Sequence, residues 1–198
     1  MSDHYFAADP SSPFVTVPIE VSVWGLHLSL ATGSGVFARG RLDVGTGVLF
    51  RVSDPPLDGD TLLDLGCGYG IIALALALVR PHATVWAVDV NERALELTRR
   101  NARSHGVEDR VRAVRPDEVP PGLRLDGIWS NPPVRVGKDA LHELLLHWLG
   151  RLATGGEATL VVGRNLGADS LQRWLGEQGH PVRRLGSAKG FRVLRTVG

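Results

Sequence analysis

The chain has 198 residues, a net charge of +1 and 43% apolar residues, enough for one domain with a sizeable core, since chains of this size bury about 70% of their unfolded surface. Its single cysteine, Cys67, excludes an internal disulfide, and no apolar run reaches the roughly 20 residues that cross a bilayer. With a polar start, Met1 to Pro13, that lacks an apolar signal core, these features point to the cytoplasm.

Residues 1–13 read as a mobile N-terminus and 14–198 as one domain, of which 14–42 forms an N-terminal hairpin and a substrate-side loop. Val15 to Val23 and Leu26 to Ala31 alternate apolar and polar residues around Trp24-Gly25, the pattern of a β-hairpin. Asp43 is placed to cap a helix running through Phe50, ended by Asp54-Pro55-Pro56. A parallel core follows, with strands near 61–65, 84–89, 110–114, 125–130 and 157–163 and helices between them. The stretch Ile71 to Val79 is helical, as is Glu92 to Ser104 behind the N-cap Asn91. Leu141, Leu144, Leu145, Trp148 and Leu152 make a helical core stripe, and Thr154-Gly155-Gly156 reads as the turn into the fifth core strand. A last helix, Ala168 to Gln178, precedes the segments Val182 to Leu185 and Phe191 to Thr196.

Two segments carry chemistry. In Asp64-Leu65-Gly66-Cys67-Gly68-Tyr69-Gly70 a short strand runs into a glycine cluster and then a helix, so the backbone turns tightly and comes close to a ligand. The next strand ends at Asp89, where an acid can accept both hydroxyls of a ribose. The third glycine comes one residue too early for the Gly-x-Gly-x-x-Gly dinucleotide fingerprint, which counts against NAD. The second segment is Asn131-Pro132-Pro133, directly behind the strand ending in Trp129-Ser130. Proline fixes its own φ and pushes the residue before it into an extended conformation. Asn131 is therefore held, and its side-chain carbonyl with the Pro132 backbone carbonyl makes a pair of fixed acceptors suited to a planar NH2 group.

Other reactive residue types carry less. Cys67 has no partner in sequence that would make it a nucleophile, and it reads as a small packed side chain. His142 and His147 lie five apart on a helix and share no face, and no metal site is implied. Lys138 and Lys189 are the two lysines; the other basic residues are arginines, whose forked donors suit phosphates and guanine edges. Arg39 and Arg41 follow Gly33-Ser34-Gly35, and Arg135 and Lys138 follow Asn-Pro-Pro, which would give a pocket between them a basic rim. Arg99, Arg100 and Arg103 read as the solvated face of a helix.

Together these segments resemble a class I S-adenosylmethionine (SAM)-dependent methyltransferase of Rossmann-like α/β fold. The resemblance implies a mostly parallel seven-stranded sheet with an antiparallel edge strand. It also implies that Asp64, Gly66, Cys67, Gly68, Tyr69 and Gly70 form the loop under the methionine part of SAM. Asp89, followed by Val90, corresponds to the ribose-binding acid, and Asp117 to the residue near the adenine amino group. Asn131, Pro132 and Pro133 match the motif of members that methylate planar nitrogens, where Asn131 also faces the cofactor. Within these the chain is similar to the small-subunit ribosomal RNA guanine-N2 methyltransferases and their single-domain relatives. Ser34-Gly35-Val36-Phe37, Leu42-Asp43-Val44-Gly45-Thr46 and Gly190-Phe191-Arg192-Val193-Leu194-Arg195 add to that likeness.

The resemblance implies RNA, ribosomal RNA or the small subunit, as partner, with no membrane and no metal; oligomeric state is open. The same chemistry on adenine, a protein glutamine or a small-molecule amine is the alternative, and a non-catalytic SAM- or NAD-binding module is a reading of a different class. Many planar-amine methyltransferases carry an aromatic residue after Asn-Pro-Pro that stacks on the base, whereas this chain has Val134 and then Arg135. Arg135 or Phe37 is expected to cover the base instead, with Arg39 and Lys138 on phosphates.

Overall fold

The computed structural model describes residues 14–133 and 136–198. The expected mobile start and the substrate-side residues Val134 and Arg135 lie outside the described residues. β1 (Thr16–Val23) and β2 (Leu26–Gly33) pair antiparallel with Val23 opposite Leu26. The connecting Trp24 and Gly25 both have positive φ, 49° and 77°, as a two-residue hairpin turn matching the strand twist demands. Trp24 is held in this conformation by tertiary contacts. Its indole N–H donates to the Ser53 carbonyl at 2.8 Å, and its ring meets Phe50 and Trp129 edge-on at 4.7 and 5.1 Å.

α1 (Val44–Val52) begins at Asp43, whose carboxylate accepts the Thr46 N–H at 3.0 Å as an N-cap. Then follow β3 (Thr61–Leu65), α2 (Ile71–Val79), β4 (Thr84–Val88), α3 (Glu92–Ser104), β5 (Val111–Val114) and β6 (Leu125–Ser130). The chain closes with α4 (Lys138–Leu149), β7 (Leu152–Gly163), α5 (Ala168–Glu177), β8 (Val182–Ala188) and β9 (Phe191–Val197). Seven strands form one sheet in the order β5-β4-β3-β6-β7-β9-β8. Strand β9 alone runs against its neighbours, and it lies inside the edge, between β7 and β8. Apolar side chains leave both faces of the sheet: Leu62 and Val85 pack with α1, α2, α3 and the hairpin, while Leu63 and Val88 pack with α4 and α5. Seven consecutive residues of α2, Ile71 to Ala77, are buried, which is why that helix is apolar all round. No described helix is long and apolar enough to cross a membrane.

One expected turn is strand. Thr154-Gly155-Gly156 belongs to β7, and the pairing with β6 shifts register between Leu125 and Gly127. A Cβ on Gly156 would come within 2.8 Å of the Leu125 carbonyl oxygen. The glycines therefore mark an irregular strand with close backbone approach, a pattern that looks like a turn in sequence. Leu152 accordingly opens β7 and does not complete the helical stripe.

The sheet order positions the site. Strands β3, β4 and β5 step outward in one direction, and the chain then returns to place β6 on the other side of β3. The loops after β3 and β6 diverge at that switch point and leave a crevice at the carboxyl ends of the strands.

Candidate active site

The loop after β3 is built on glycine. Gly66, Gly68 and Gly70 have φ of 76°, 57° and 86°, left-handed values that suit residues without Cβ. The N–H groups of Gly66 and Cys67 donate to the Val88 carbonyl at 2.8 and 3.0 Å, locking the loop to the end of β4. A Cβ on Gly70 would collide with Thr98 at 2.8 Å, whereas one on Gly68 would meet nothing within 4 Å. Gly70 is thus required by packing, while Gly68 keeps its backbone open to a visitor. At Gly66 the nearest atoms to such a Cβ are Pro133 Cδ at 3.9 Å and the Asn131 carbonyl at 4.0 Å. The glycine loop and Asn-Pro-Pro therefore face each other across a narrow gap.

Two carboxylates underlie the loop. Asp89 accepts the Gly68 N–H at 3.0 Å through Oδ2 and the Asn91 N–H at 2.9 Å through Oδ1. Asp64 is buried, its Oδ2 accepting the Ala73 N–H at 2.9 Å while its Oδ1 has no hydrogen-bond partner. Burial, aided by the nearby Asp89 charge and opposed by the Ala73 bond, pushes the Asp64 carboxyl up to about 8. Burial likewise drives the Cys67 thiol well up, and Sγ rests 3.6 Å from Thr98 Oγ1, so this cysteine packs and stays protonated. Tyr69 turns under the N-terminal segment, its hydroxyl 3.5 Å from the Arg41 carbonyl.

A cleft of about 380 Å³, open mouth included, begins at this loop. Gly66 and Asp89 line it together with Val90, Pro116, Pro133 and Leu144, whose side chains give it apolar walls that suit a flat ring. Asp117 does not line it. Its side chain, 80% exposed, lies 3.6 Å from the Arg115 guanidinium, and the preceding Pro116 takes the wall position. Neither Pro116 nor Leu144 stands out in sequence as a ligand residue. Leu144 reads as core because it shares the stripe of α4, on whose margin it sits.

Asn131 is held from three sides. Ser130 Oγ donates to the Leu65 carbonyl at 2.7 Å, fastening the end of β6 to that of β3, and the buried Pro132 follows. The Asn131 amide nitrogen donates to Asp43 Oδ2 at 2.7 Å and Thr46 Oγ1 at 3.0 Å. With the NH2 end so engaged, the side-chain oxygen is the end left to accept from a ligand. Sequence places Asp43 only as a helix cap; that it also grips Asn131, 88 positions away, has no local signal.

The segment 34–42 is tied over the glycine loop by Asn91 Nδ2 to the Gly35 carbonyl at 2.8 Å and by Gly40 N–H to Thr32 Oγ1 at 2.8 Å. Phe37 is 43% exposed, and Arg39 and Arg41 are exposed too. Lys138, exposed, opens α4 beyond Asn-Pro-Pro. The two histidines of α4 pack on aromatic rings: His142 stacks on Trp174 at 3.4 Å, and His147 meets Trp148 edge-on at 5.2 Å. Among the described residues no group of three or more His, Cys, Asp or Glu is arranged to hold a metal ion.

Comparison with known proteins agrees with this geometry. Residues 27–195 match the family model of the methyltransferase small domain. An uncharacterised Bacillus subtilis protein, YbxB, is 31% identical over 98% of both chains. The ribosomal RNA small subunit methyltransferase C of Hahella chejuensis is 39% identical over 86% of this chain and 49% of its own length, so the chain spans about half of that relative. In fold it is similar to a T. thermophilus 16S rRNA N2 methyltransferase solved with AdoMet and guanosine, with a TM-score of 0.77 at 24% identity over 95% of this chain and 52% of that one. The chain thus belongs to the methyltransferase small domain family and is a SAM-dependent methyltransferase of Rossmann-like fold.

Proposed function

We propose that this chain, as a single domain over 14–198, methylates a planar exocyclic amine, and that the amine is guanine N2 in small-subunit ribosomal RNA. The observation that carries the reading is the hydrogen bonding of Asn131: its amide nitrogen is occupied by Asp43 and Thr46, which leaves its side-chain oxygen as the end available to accept from a substrate amine. The names of the Hahella relative and of the T. thermophilus enzyme, with its guanosine, support the choice of RNA and of guanine.

The residues present fit SAM. The open backbone at Gly68, the carboxylate of Asp89 and the apolar walls at Val90, Pro116 and Leu144 offer polar and apolar partners of the kind that SAM needs. When bound, SAM supplies an electrophilic methyl group. The loop Gly66 to Gly70 and Asp89 would hold it, and Asp117, at the rim, is at most a peripheral contact in this arrangement. Asn131 Oδ1 and the Pro132 carbonyl accept the two amine hydrogens, which turns the nitrogen's weak lone pair toward the methyl and disperses the positive charge that grows on nitrogen. Orientation and charge dispersal of this kind lower barriers by several kcal/mol. A strong base is unnecessary, because the methylated amine is acidic enough to lose its proton to water.

The test is transfer of labelled methyl from SAM to small ribosomal subunits, free RNA, DNA and protein fractions, with digestion of the product to nucleosides. N2-methylguanosine in the RNA is the expected product. Label confined to protein or small molecules would overturn the RNA assignment.

A further inference from the structure

The geometry points to a second role for Asp43: it is a positioning residue that decides which end of the Asn131 amide meets the reacting amine. This rests on the planar-amine reading of Asn131 above. The two ends of an asparagine amide have nearly the same shape and exchange by a half-turn about the last side-chain torsion. With oxygen outward, Asn131 accepts from the substrate NH2. With nitrogen outward, donor faces donor and the amine is turned away.

The neighbours of Asn131 differ in how they treat that choice. Prolines have no N–H, so neither Pro132 nor Pro133 can hold the oxygen inward. The Thr46 hydroxyl, 3.0 Å from Nδ2, is indifferent, since it accepts from the nitrogen or donates to the oxygen equally well. A carboxylate only accepts. Asp43 Oδ2, 2.7 Å from Nδ2, therefore favours the nitrogen-inward state and repels the oxygen in the flipped one.

Asp43 is itself held firmly. The same Oδ2 takes the Thr46 N–H at 3.0 Å, and a Cβ on Gly45 would come 3.0 Å from that oxygen and 2.9 Å from the Phe191 ring. The first turn of α1 is thus closed in by β9 exactly where the carboxylate sits. Capping alone does not account for an acid here. Serine caps helices as well as aspartate does, but its hydroxyl donates or accepts and would accommodate either state of Asn131.

That difference supplies the test. Asp43→Ser keeps a capping oxygen, so melting temperature should stay close to the wild type and SAM affinity by calorimetry should match it. Turnover on small-subunit RNA should fall severalfold, because with only hydroxyls beside Asn131 the nitrogen-outward state becomes populated. Asp43→Ala should lose turnover and melting temperature together. Independently of substrate, the Asn131 side-chain amide protons should exchange with water slowly in the wild type and faster in Asp43→Ser by NMR. An Asp43→Ser variant with wild-type turnover, or amide exchange as fast in the wild type as in the variant, overturns the role of Asp43. Asn131→Ala separates the levels: full turnover in Asn131→Ala would remove the Asn-Pro-Pro chemistry and this role with it. Loss there, beside a fully active Asp43→Ser, removes only the role of Asp43.

Discussion

Asp89 joins two tasks in one side chain, since its oxygens hold the Gly68 and Asn91 N–H groups at the mouth of the cleft. Asp89→Ala should weaken SAM binding by about 1–3 kcal/mol, the range for hydrogen bonds to a charged acceptor; unchanged affinity by calorimetry would take Asp89 out of the cofactor site. Asp64 makes a pH prediction with a definite sign. Its folded carboxyl lies near 8 against an ordinary value of 3.8, so between those limits the folded state keeps a proton that the unfolded chain has released. Its contribution to stability is then fully present at acid pH, declines as pH rises through this window, and is flat above it. Asp64→Asn removes the titration. In urea unfolding at about pH 5 and about pH 8, the stability of wild type minus that of Asp64→Asn should be smaller at the higher pH. A difference that stays constant or grows would contradict the buried, proton-holding state.

At the scale of elements, α3 is the clasp between the hairpin and the cofactor loop. Asn101, 1% exposed, accepts the Ala31 N–H at 2.8 Å and donates to the Ala31 carbonyl at 2.9 Å and the Tyr69 carbonyl at 2.8 Å. One side chain therefore satisfies β2 and the glycine loop together, and Asn91 extends the clasp to Gly35. Asn101→Ala leaves buried backbone groups without partners, each costing about 1–3 kcal/mol. Stability by denaturant titration should fall by at least about 2 kcal/mol. A loss within about 0.5 kcal/mol would mean that water replaces the side chain. The clasp also explains how an N-terminal segment comes to stand over a loop some thirty positions later: it is docked through hydrogen bonds as well as through apolar packing at Leu28 and Leu30.

Over the whole molecule the net charge is only +1, so under the proposed function attraction to RNA has to come from local placement. Arg39 and Arg41 are exposed on the N-terminal segment that also carries the exposed Phe37, and Lys138 is exposed at the start of α4. An extruded base costs a few kcal/mol, and an aromatic stack returns about 1–3 kcal/mol. Phe37→Ala should accordingly raise the apparent constant for RNA without changing SAM binding, Arg135→Ala should act in the same direction, and activity should fall steeply with salt. Insensitivity to both changes and to salt would favour a neutral or protein substrate.

Much of this protein is determined by sequence alone, because its signals are local. The glycine loop, the helices Ile71–Val79 and Glu92–Ser104, the Asn91 and Asp43 caps and the hairpin turn at Trp24-Gly25 each follow from φ permissions, capping chemistry and apolar period within a few residues. The resemblance those motifs carry extends to the family and to SAM. Only tertiary structure decided which residues wall the cleft, where Pro116 and Leu144 stand and Asp117 turns outward to Arg115. It also decided that β9 inserts beside β7, that Thr154-Gly155-Gly156 continues a strand, and that Asp43 grips Asn131. These depend on which distant segments pair once the sheet has formed. A glycine looks the same whether it frees a turn or admits a neighbouring backbone, and a capping aspartate looks the same whether or not a second amide reaches its oxygen.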